Sequence, residues 1–374
     1  MNKKNVIIIM IDGGRLDRAQ HSAIFNKLKT KSIFFSNSIT YASHTIAAMH
    51  AVFSGTYGSR TGTNSYWSTF KFKKNKFKTL TEYLKIKNYD THADVINQLV
   101  VPKQGFDNYV VHDELNDDLV KTHKTLLEEM NQRNSNNNFF LYLHYSKIHT
   151  GIMNEVLKVY DNFSNDFFSN KNKNELRYDK LFQAAESYLN QILDKIYELE
   201  FDKNSIILVM SDHGVSVGEK IGERAYGAFC YDYTLRTFTY FLIPNSDAIE
   251  IKQQIRTVDF MPTILDFLNI SLDTTYSNLD GESLLPLIDG KSFSENYAFS
   301  ETGNPLHEKS PPKEPNTKSI RSSEWKLIFN DYNQTKELYN LQLDPDETNN
   351  LIGTGEKIEE VLWIELQNLI NKHD

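Results

Sequence analysis

The sequence predicts an α/β protein in which strands alternating with helices form a large, mostly parallel sheet, followed by a small antiparallel C-terminal subdomain. Three observations carry this. Residues 6–11 (VIIIMI) are a bare apolar run between polar flanks, which reads as a strand buried on both faces. Similar short runs at 139–143 and 205–210 are each followed by polar residues, and between them residues 181–199 place Leu181, Ala184, Ala185, Tyr188, Leu189, Ile192, Leu193 and Ile196 at helical spacing. Near the C-terminus, SIRSSEWKLIFN and KELYNL read as strands and residues 356–370 as an amphipathic helix. The expected division is a catalytic unit over 1–295 and a subdomain over 296–374 packed on it. No internal repeat is visible.

The 374 residues, 40% hydrophobic and 24% charged, suffice for a sizeable core. With 41 Lys and Arg against 49 Asp and Glu, the net charge of -8 argues against a nucleic-acid partner and favours a small or glycan-like one. The lysines and apolar run of MNKKNVIIIMID mimic a secretory signal, but Asp12 ends the run too soon. No run is long enough to span a bilayer as a helix. A single cysteine, Cys230, suits a reducing compartment, so the expected location is the cytoplasm. A homo-oligomer stays open.

Residues 131–138 and 161–174 read as surface loops. The second carries Phe163, Phe167 and Phe168, so it is either a lid or an ordinary loop with its phenylalanines docked on the core. Residues 302–317, with four prolines, suit neither a helix nor a central strand and form either a disordered connection or a loop reaching the site.

In parallel sheets ligands bind beyond the carboxyl ends of the strands, and Asp12, His149 and Asp212 fall at or just after such ends. In ILVMSDHGV, Asp212 and His213 are either hydrogen-bonding loop residues or two ligands of one ion, since carboxylate oxygen and imidazole nitrogen suit zinc and manganese. Asp12 precedes two glycines that allow a sharp turn beside a ligand. In SHTIAAMHAVFSGTYGSRTG, Thr45 can sit just before a helix over 46–53. There it is either a plain cap or a nucleophile whose bound anion faces the positive helix end.

The ordered set Asp12, then Thr45 in T-x-A-x-M-H-x-V-F-S-G-x-Y-x-S-R-x-G, then SDHG resembles the sulfatase and alkaline phosphatase superfamily. KNYDTH, FFLYLHYSKIHTG, VDFMPTILDFLNI, DGESLLPLIDG, YAFSETG, KSIRSSEWKLI and ELYNLQLDPDETNNL extend the resemblance over nearly the whole chain. It implies a large mixed sheet between helices plus a smaller C-terminal sheet. The chain departs from the sulfatase pattern C-x-P-S-R, whose first residue becomes formylglycine, in having Thr45, Ala47, Ala48 and Met49 there. Gly13 replaces a second aspartate, G-K-x-H is not visible around residues 92–97, and His213 replaces the asparagine of calcium-binding sulfatases. Losing a carboxylate and gaining an imidazole favours zinc or manganese over calcium.

The set Asp12, Thr45, Asp212 and His213 is similar to the single-metal site of lipoteichoic acid synthases and phosphoethanolamine transferases, where threonine takes the phosphoryl group. Two-metal relatives need a further aspartate and two histidines, but Tyr145 stands four before His149 and the next histidine after SDHG is His307. One divalent ion is therefore expected. The resemblance casts His149 as a leaving-group acid or oxyanion contact and Lys220 as a neutralising cation. Arg15, Asn64, Arg224 and His307 are further substrate-binding candidates. The expected reaction is hydrolysis or transfer of a phosphodiester or phosphonate-type ester through covalent Thr45. The alternatives are a sulfatase without formylglycine and a silent anion-binding or glycan-binding protein.

Overall fold

A computed structural model describes residues 4–133, 137–157, 165–223, 225–303 and 314–373. Nine strands make the main sheet: β1 (Asn5–Ile11), β2 (Ile33–Ile39), β3 (Asp90–Val95), β4 (Asn108–Val111), β5 (Phe139–Tyr145), β6 (Ser205–Met210), β7 (Arg236–Leu242), β8 (Ile249–Ile251) and β9 (Ile255–Arg256). Their order is β4-β3-β5-β1-β6-β7-β2-β8, with β9 also paired to β2. β7 runs antiparallel to both β6 and β2, so the sheet is mixed but mostly parallel. The smaller sheet is an antiparallel meander of β10 (Ala298–Thr302), β11 (Thr317–Arg321), β12 (Trp325–Asn330) and β13 (Thr335–Asn340).

β1 shows why its sequence has no polar alternation. Ile7, Ile9 and Ile11 enter one core while Val6, Ile8 and Met10 enter the other, and all are fully buried. Each such side chain stabilises the fold by roughly 1.5–3 kcal/mol. The helix Lys171–Glu198 covers the first face through Tyr178, Phe182, Ala185, Leu189 and Ile192. The helices Thr45–Ser54 and Phe260–Phe267 cover the second, through Met49, Val52, Phe53, Ile264 and Leu265. The small sheet packs Phe299, Ile320, Leu327 and Leu338 between the C-terminal helix Lys357–His373 and the Ala47–Ala51 side of the helix Thr45–Ser54. A buried ion cluster ties the two sheets together: Lys326 meets Asp232 and Glu347 at 2.8 Å, and Arg321 meets Asp232 at 2.7 Å.

Two loop expectations are corrected in part. The helix Leu119–Arg133 runs into the first of them. Residues 161–164 lie outside the described region, but Asn165–Ser169 and the start of Lys171–Glu198 are helical. The long helix begins ten residues before its predicted start because Asn174 and Tyr178 continue its inward stripe, although the intervening sequence is polar. Phe167 is docked in the core with Phe168 stacked edge-on at 5.1 Å, so these two phenylalanines follow the core reading rather than the lid. Phe163 and most of the proline-rich segment lie outside the described residues.

Candidate metal centre and active site

The register of three neighbouring strands assembles the site. Ile11 pairs with Tyr145 and Met10 with Met210, so the residues after β1, β5 and β6 emerge side by side at one edge. The Asp12 amide donates to the Tyr145 carbonyl at 3.1 Å, fixing the β1 exit against β5. Gly13 turns the chain at φ +72° and its amide donates to Asp212 Oδ1 at 3.1 Å, while Tyr178 hydroxyl holds the Gly13 carbonyl at 2.7 Å. An alanine Cβ at Gly13 would lie 3.0 Å from Val215 Cγ2. Gly13→Ala should therefore cost ~1–2 kcal/mol in denaturant unfolding and weaken metal binding, because the amide that orients Asp212 moves with it. An unchanged midpoint and metal affinity would count against this account of the turn.

Thr45 is the first residue of its helix, and His44 rather than Thr45 occupies the N-cap position, which corrects the expected placement. The buried Thr45 hydroxyl is thus released from capping. Its Oγ1 lies 3.2 Å from both Asp12 Oδ2 and His213 Nε2. His213 Nε2 is also 3.3 Å from Asp212 Oδ2 and 3.6 Å from Asp12 Oδ1, and its Nδ1 lies 2.7 Å from the Gly214 carbonyl. That outer contact leaves Nε2 turned toward the carboxylates.

Asp12, Asp212 and His213 are buried and offer ligand atoms within 4.8 Å of one another. Asp12 Oδ1 and Asp212 Oδ2 have no hydrogen-bond partner. Burial and the charge of Asp12 push the Asp212 carboxyl above the ordinary range, with His213 offsetting only part. Burial would also raise Asp12, but His149, His144 and His213 hold it below that range. Two buried carboxylates with orphaned oxygens beside an imidazole nitrogen fit a divalent cation.

His149, in the short helix Lys147–Gly151, joins this group. Its Nδ1 is 3.8 Å from Asp12 Oδ1 and 3.2 Å from Tyr226 hydroxyl, and its side chain remains a quarter exposed. The other expected residues fall elsewhere. Arg15 is buried in contacts to Glu219, Asp17 and the Val215 carbonyl. Lys220 donates to the Glu347 carbonyl and stacks over Tyr231 and Tyr339, and none of its described contacts is with Thr45. Arg224 and His307 lie outside the described residues.

Asn64 meets Ser68 and the Glu301 carboxyl. Burial pushes Glu301 from 4.5 up to about 7, against the opposing hydrogen bond from Tyr41. A carboxyl raised in the folded state contributes stability that is complete below about pH 4.5 and is lost as pH rises through about 7. Glu301→Gln cannot ionise. It should melt higher than the parent at pH 8, by up to roughly 3 kcal/mol, and the difference should vanish below pH ~4.5. A difference independent of pH would contradict the assignment.

Two neighbours escape the sequence reading. His144 Nε2 lies 3.1 Å from Asp12 Oδ2, and Tyr226 stacks 5.2 Å from the His213 ring. His144 was detectable: in FFLYLHY it continues the Phe140, Tyr142 alternation toward the face covered by the helix Thr45–Ser54. Tyr226 leaves no such pattern.

With Asp12, Asp212 and His213 as a candidate metal-ligand group, the fold and the family matches place the chain in the sulfatase and alkaline phosphatase superfamily. Within it, the chain belongs to the sulfatase family, whose profile matches residues 4–270; a second profile, N-sulphoglucosamine sulphohydrolase, C-terminal, matches residues 226–372. Arylsulfatase K of Mus musculus is 26% identical over 224 residues, 55% of this chain and 40% of that protein. N-acetylglucosamine-6-O-sulfatase of Bacteroides thetaiotaomicron is 31% identical over 178 residues, 44% of this chain and 29% of that protein. The chain spans about two fifths or less of the length of these relatives. Among solved structures, a protein in complex with its substrate D-glucosamine-2-N,6-O-disulfate superposes with a TM-score of 0.78 at 17% identity, covering 100% of this chain and 98% of that one. The phosphonate monoester hydrolase of Silicibacter pomeroyi gives 0.75 at 14% identity, covering 99% and 95%.

Proposed function

We propose that this protein hydrolyses sulfate monoesters of a small, sugar-like substrate, with Thr45 as nucleophile. The relatives named for sulfatase activity and the structure solved with a disulfated glucosamine support sulfate over the phosphodiester preference drawn from the residue set alone. The observation that carries the mechanism is the Thr45 hydroxyl, at the first position of its helix and between Asp12 Oδ2 and His213 Nε2.

Asp12, Asp212, His213 and Thr45 Oγ1 would hold a divalent cation, which when bound supplies charge that acidifies the Thr45 hydroxyl and offsets the negative charge of the ester. The imidazole in place of an amide, and Gly13 in place of a second aspartate, favour zinc or manganese over calcium. Asp12 Oδ2 is placed to accept the Thr45 proton. Thr45 Oγ1 attacks sulfur, the bond from sulfur to the sugar oxygen breaks, and His149 gives that oxygen a proton. The helix N-terminus faces the negative charge gathered on the sulfo group. In the second half, water attacks sulfur as His149 takes its proton, the bond from sulfur to Thr45 Oγ1 breaks, and Asp12 returns to Oγ1 the proton it accepted, so that sulfate leaves with both groups restored. The Tyr226 contact steadies the His149 ring through both halves.

A second reading, phosphoryl or phosphonyl transfer through Thr45, is favoured by the nucleophile itself, since threonine cannot become formylglycine. Protein loaded in turn with zinc, manganese and calcium and offered aryl sulfate, aryl phosphate, diaryl phosphodiester and phenylphosphonate ester separates the two. The highest kcat/KM should fall on sulfate with zinc or manganese. Dominance of a phosphorus ester would install the second reading, and turnover of none would leave an anion-binding module. Among the described residues no helix is long and apolar enough to cross a membrane. The buried single cysteine accords with a cytoplasmic location, which belongs to this proposal.

A further inference from the structure

A second group of metal-ligating side chains is buried behind the strand ends. Asp94 near the end of β3, His112 just past β4, and His123 in the helix Leu119–Arg133 offer ligand atoms within 4.8 Å of one another. All three are buried, and none belongs to the Asp12 centre. His112 Nδ1 lies 2.5 Å and His123 Nε2 3.1 Å from Asp94 Oδ1. The opposite ring nitrogens are held from outside, His112 Nε2 2.8 Å from Ser146 Oγ and His123 Nδ1 2.7 Å from Tyr188 hydroxyl.

Histidines that bind metals characteristically present one nitrogen to the ion while the other is fixed by an outer polar group. Here both rings are fixed in that way, and their inner nitrogens converge on one carboxylate. Asp94 Oδ2 is buried with no hydrogen-bond partner, an unfavourable state for a polar atom and more so for a charged one. Among the described residues no lysine or arginine forms an ion pair with Asp94, so the pocket has no permanent positive charge. Buried nitrogen and carboxylate donors suit zinc, whereas calcium and magnesium need more oxygens.

We propose that Asp94, His112 and His123 form a second, structural zinc site. It would clamp β3, the exit of β4 and the helix Leu119–Arg133 to the segment after β5. Ser146, which holds His112, is the N-cap residue of the helix bearing His149. The His112 ring also stands 6.1 Å from that of His144, which contacts Asp12. An ion at Asp94 therefore braces two residues of the catalytic centre without touching substrate.

The test is metal counting on the full chain, both as purified and after zinc reconstitution and gel filtration, with circular dichroism as a check on folding. Wild-type protein should hold two equivalents of zinc. Asp212→Asn should retain the one at Asp94, and His123→Gln should retain the one at Asp12. Wild-type protein holding no zinc, or a single equivalent that Asp212→Asn loses, overturns the proposal, leaving Asp94 as an acceptor for two imidazole N–H groups. It is equally overturned if Asp212→Asn loses both equivalents, or if a folded His123→Gln keeps both. Should His123→Gln fail to fold, the wild-type and Asp212→Asn counts decide the matter, and they do so whichever ester the enzyme cleaves.

Discussion

Thr45→Ala should abolish turnover, lowering kcat by ~10³-fold or more, while the protein keeps its metal and its melting temperature. Thr45 is not the cap of its helix, so removing its oxygen leaves the backbone of the first turn as it was. The helix is anchored elsewhere, through Met49, Val52 and Phe53 in the core. A stability change within ~0.5 kcal/mol is therefore expected. Asp12, Asp212 and His213 remain to bind the ion, so metal content should stay at the wild-type level. Thr45→Ser, which keeps an oxygen but frees its rotamer, should retain part of the activity. Mass spectrometry of protein quenched during turnover should show a sulfo adduct on the parent and none on Thr45→Ala. Full activity in the alanine variant would mean that water attacks directly and that the hydroxyl merely occupies a ligand position.

The convergence of the candidate metal ligands is legible because they lie where the sequence is least ambiguous. Bare apolar strands ending in Asp12 and Asp212 locate both carboxylates at the same sheet edge before any coordinates are known. His213 follows Asp212 directly, and Thr45 precedes a clear helical run. What failed to read were positions set by tertiary partners. Lys220 looks like a catalytic cation from its place after SDHG, but the Glu347 carbonyl beyond β13, the Tyr339 ring in β13 and the Tyr231 ring ahead of β7 hold it elsewhere. Arg15 follows the glycine turn, yet Glu219 and Asp17 claim its guanidinium. His123 sits in the stripe Leu119, His123, Leu127, Met130, so its burial was readable, but Asp94 and His112 come from separate elements and their convergence was not. The polar start of the long helix was read as loop because Asn174 buries itself by donating to the Phe167 and Val217 carbonyls, a bond no local pattern reveals.

Asp212→Asn should have opposite effects on the protein with and without its ion. Asp212 Oδ1 accepts from the Gly13 and His213 amides at 3.1 and 2.9 Å, and an amide oxygen can take over both bonds. The turn that builds the site should therefore survive. Oδ2 is the oxygen without a hydrogen-bond partner, facing His213 Nε2 within a group that includes the Asp12 carboxylate. Replacing it with an NH2 removes one of two like charges held out of water and adds a donor beside the other. Without metal, the variant should thus melt at or above the parent, by a few degrees for each ~1 kcal/mol of repulsion relieved. With metal the order should reverse. Losing a charged ligand should weaken the ion at Asp12 by ~10²-fold or more, so beyond whatever zinc at Asp94 gives both proteins, only the parent should gain the further ~3 kcal/mol expected at about a hundredfold excess over the Kd of the Asp12 site. Turnover at limiting metal should fall with the affinity and recover only in part at high concentration, because the cation would then be held by one carboxylate. Thermal melts in chelator and in zinc give both signs in one experiment. If Asp212→Asn melts below the parent in chelator, the paired carboxylates are not destabilising without a cation, and the electrostatic case for a metal at Asp12 fails.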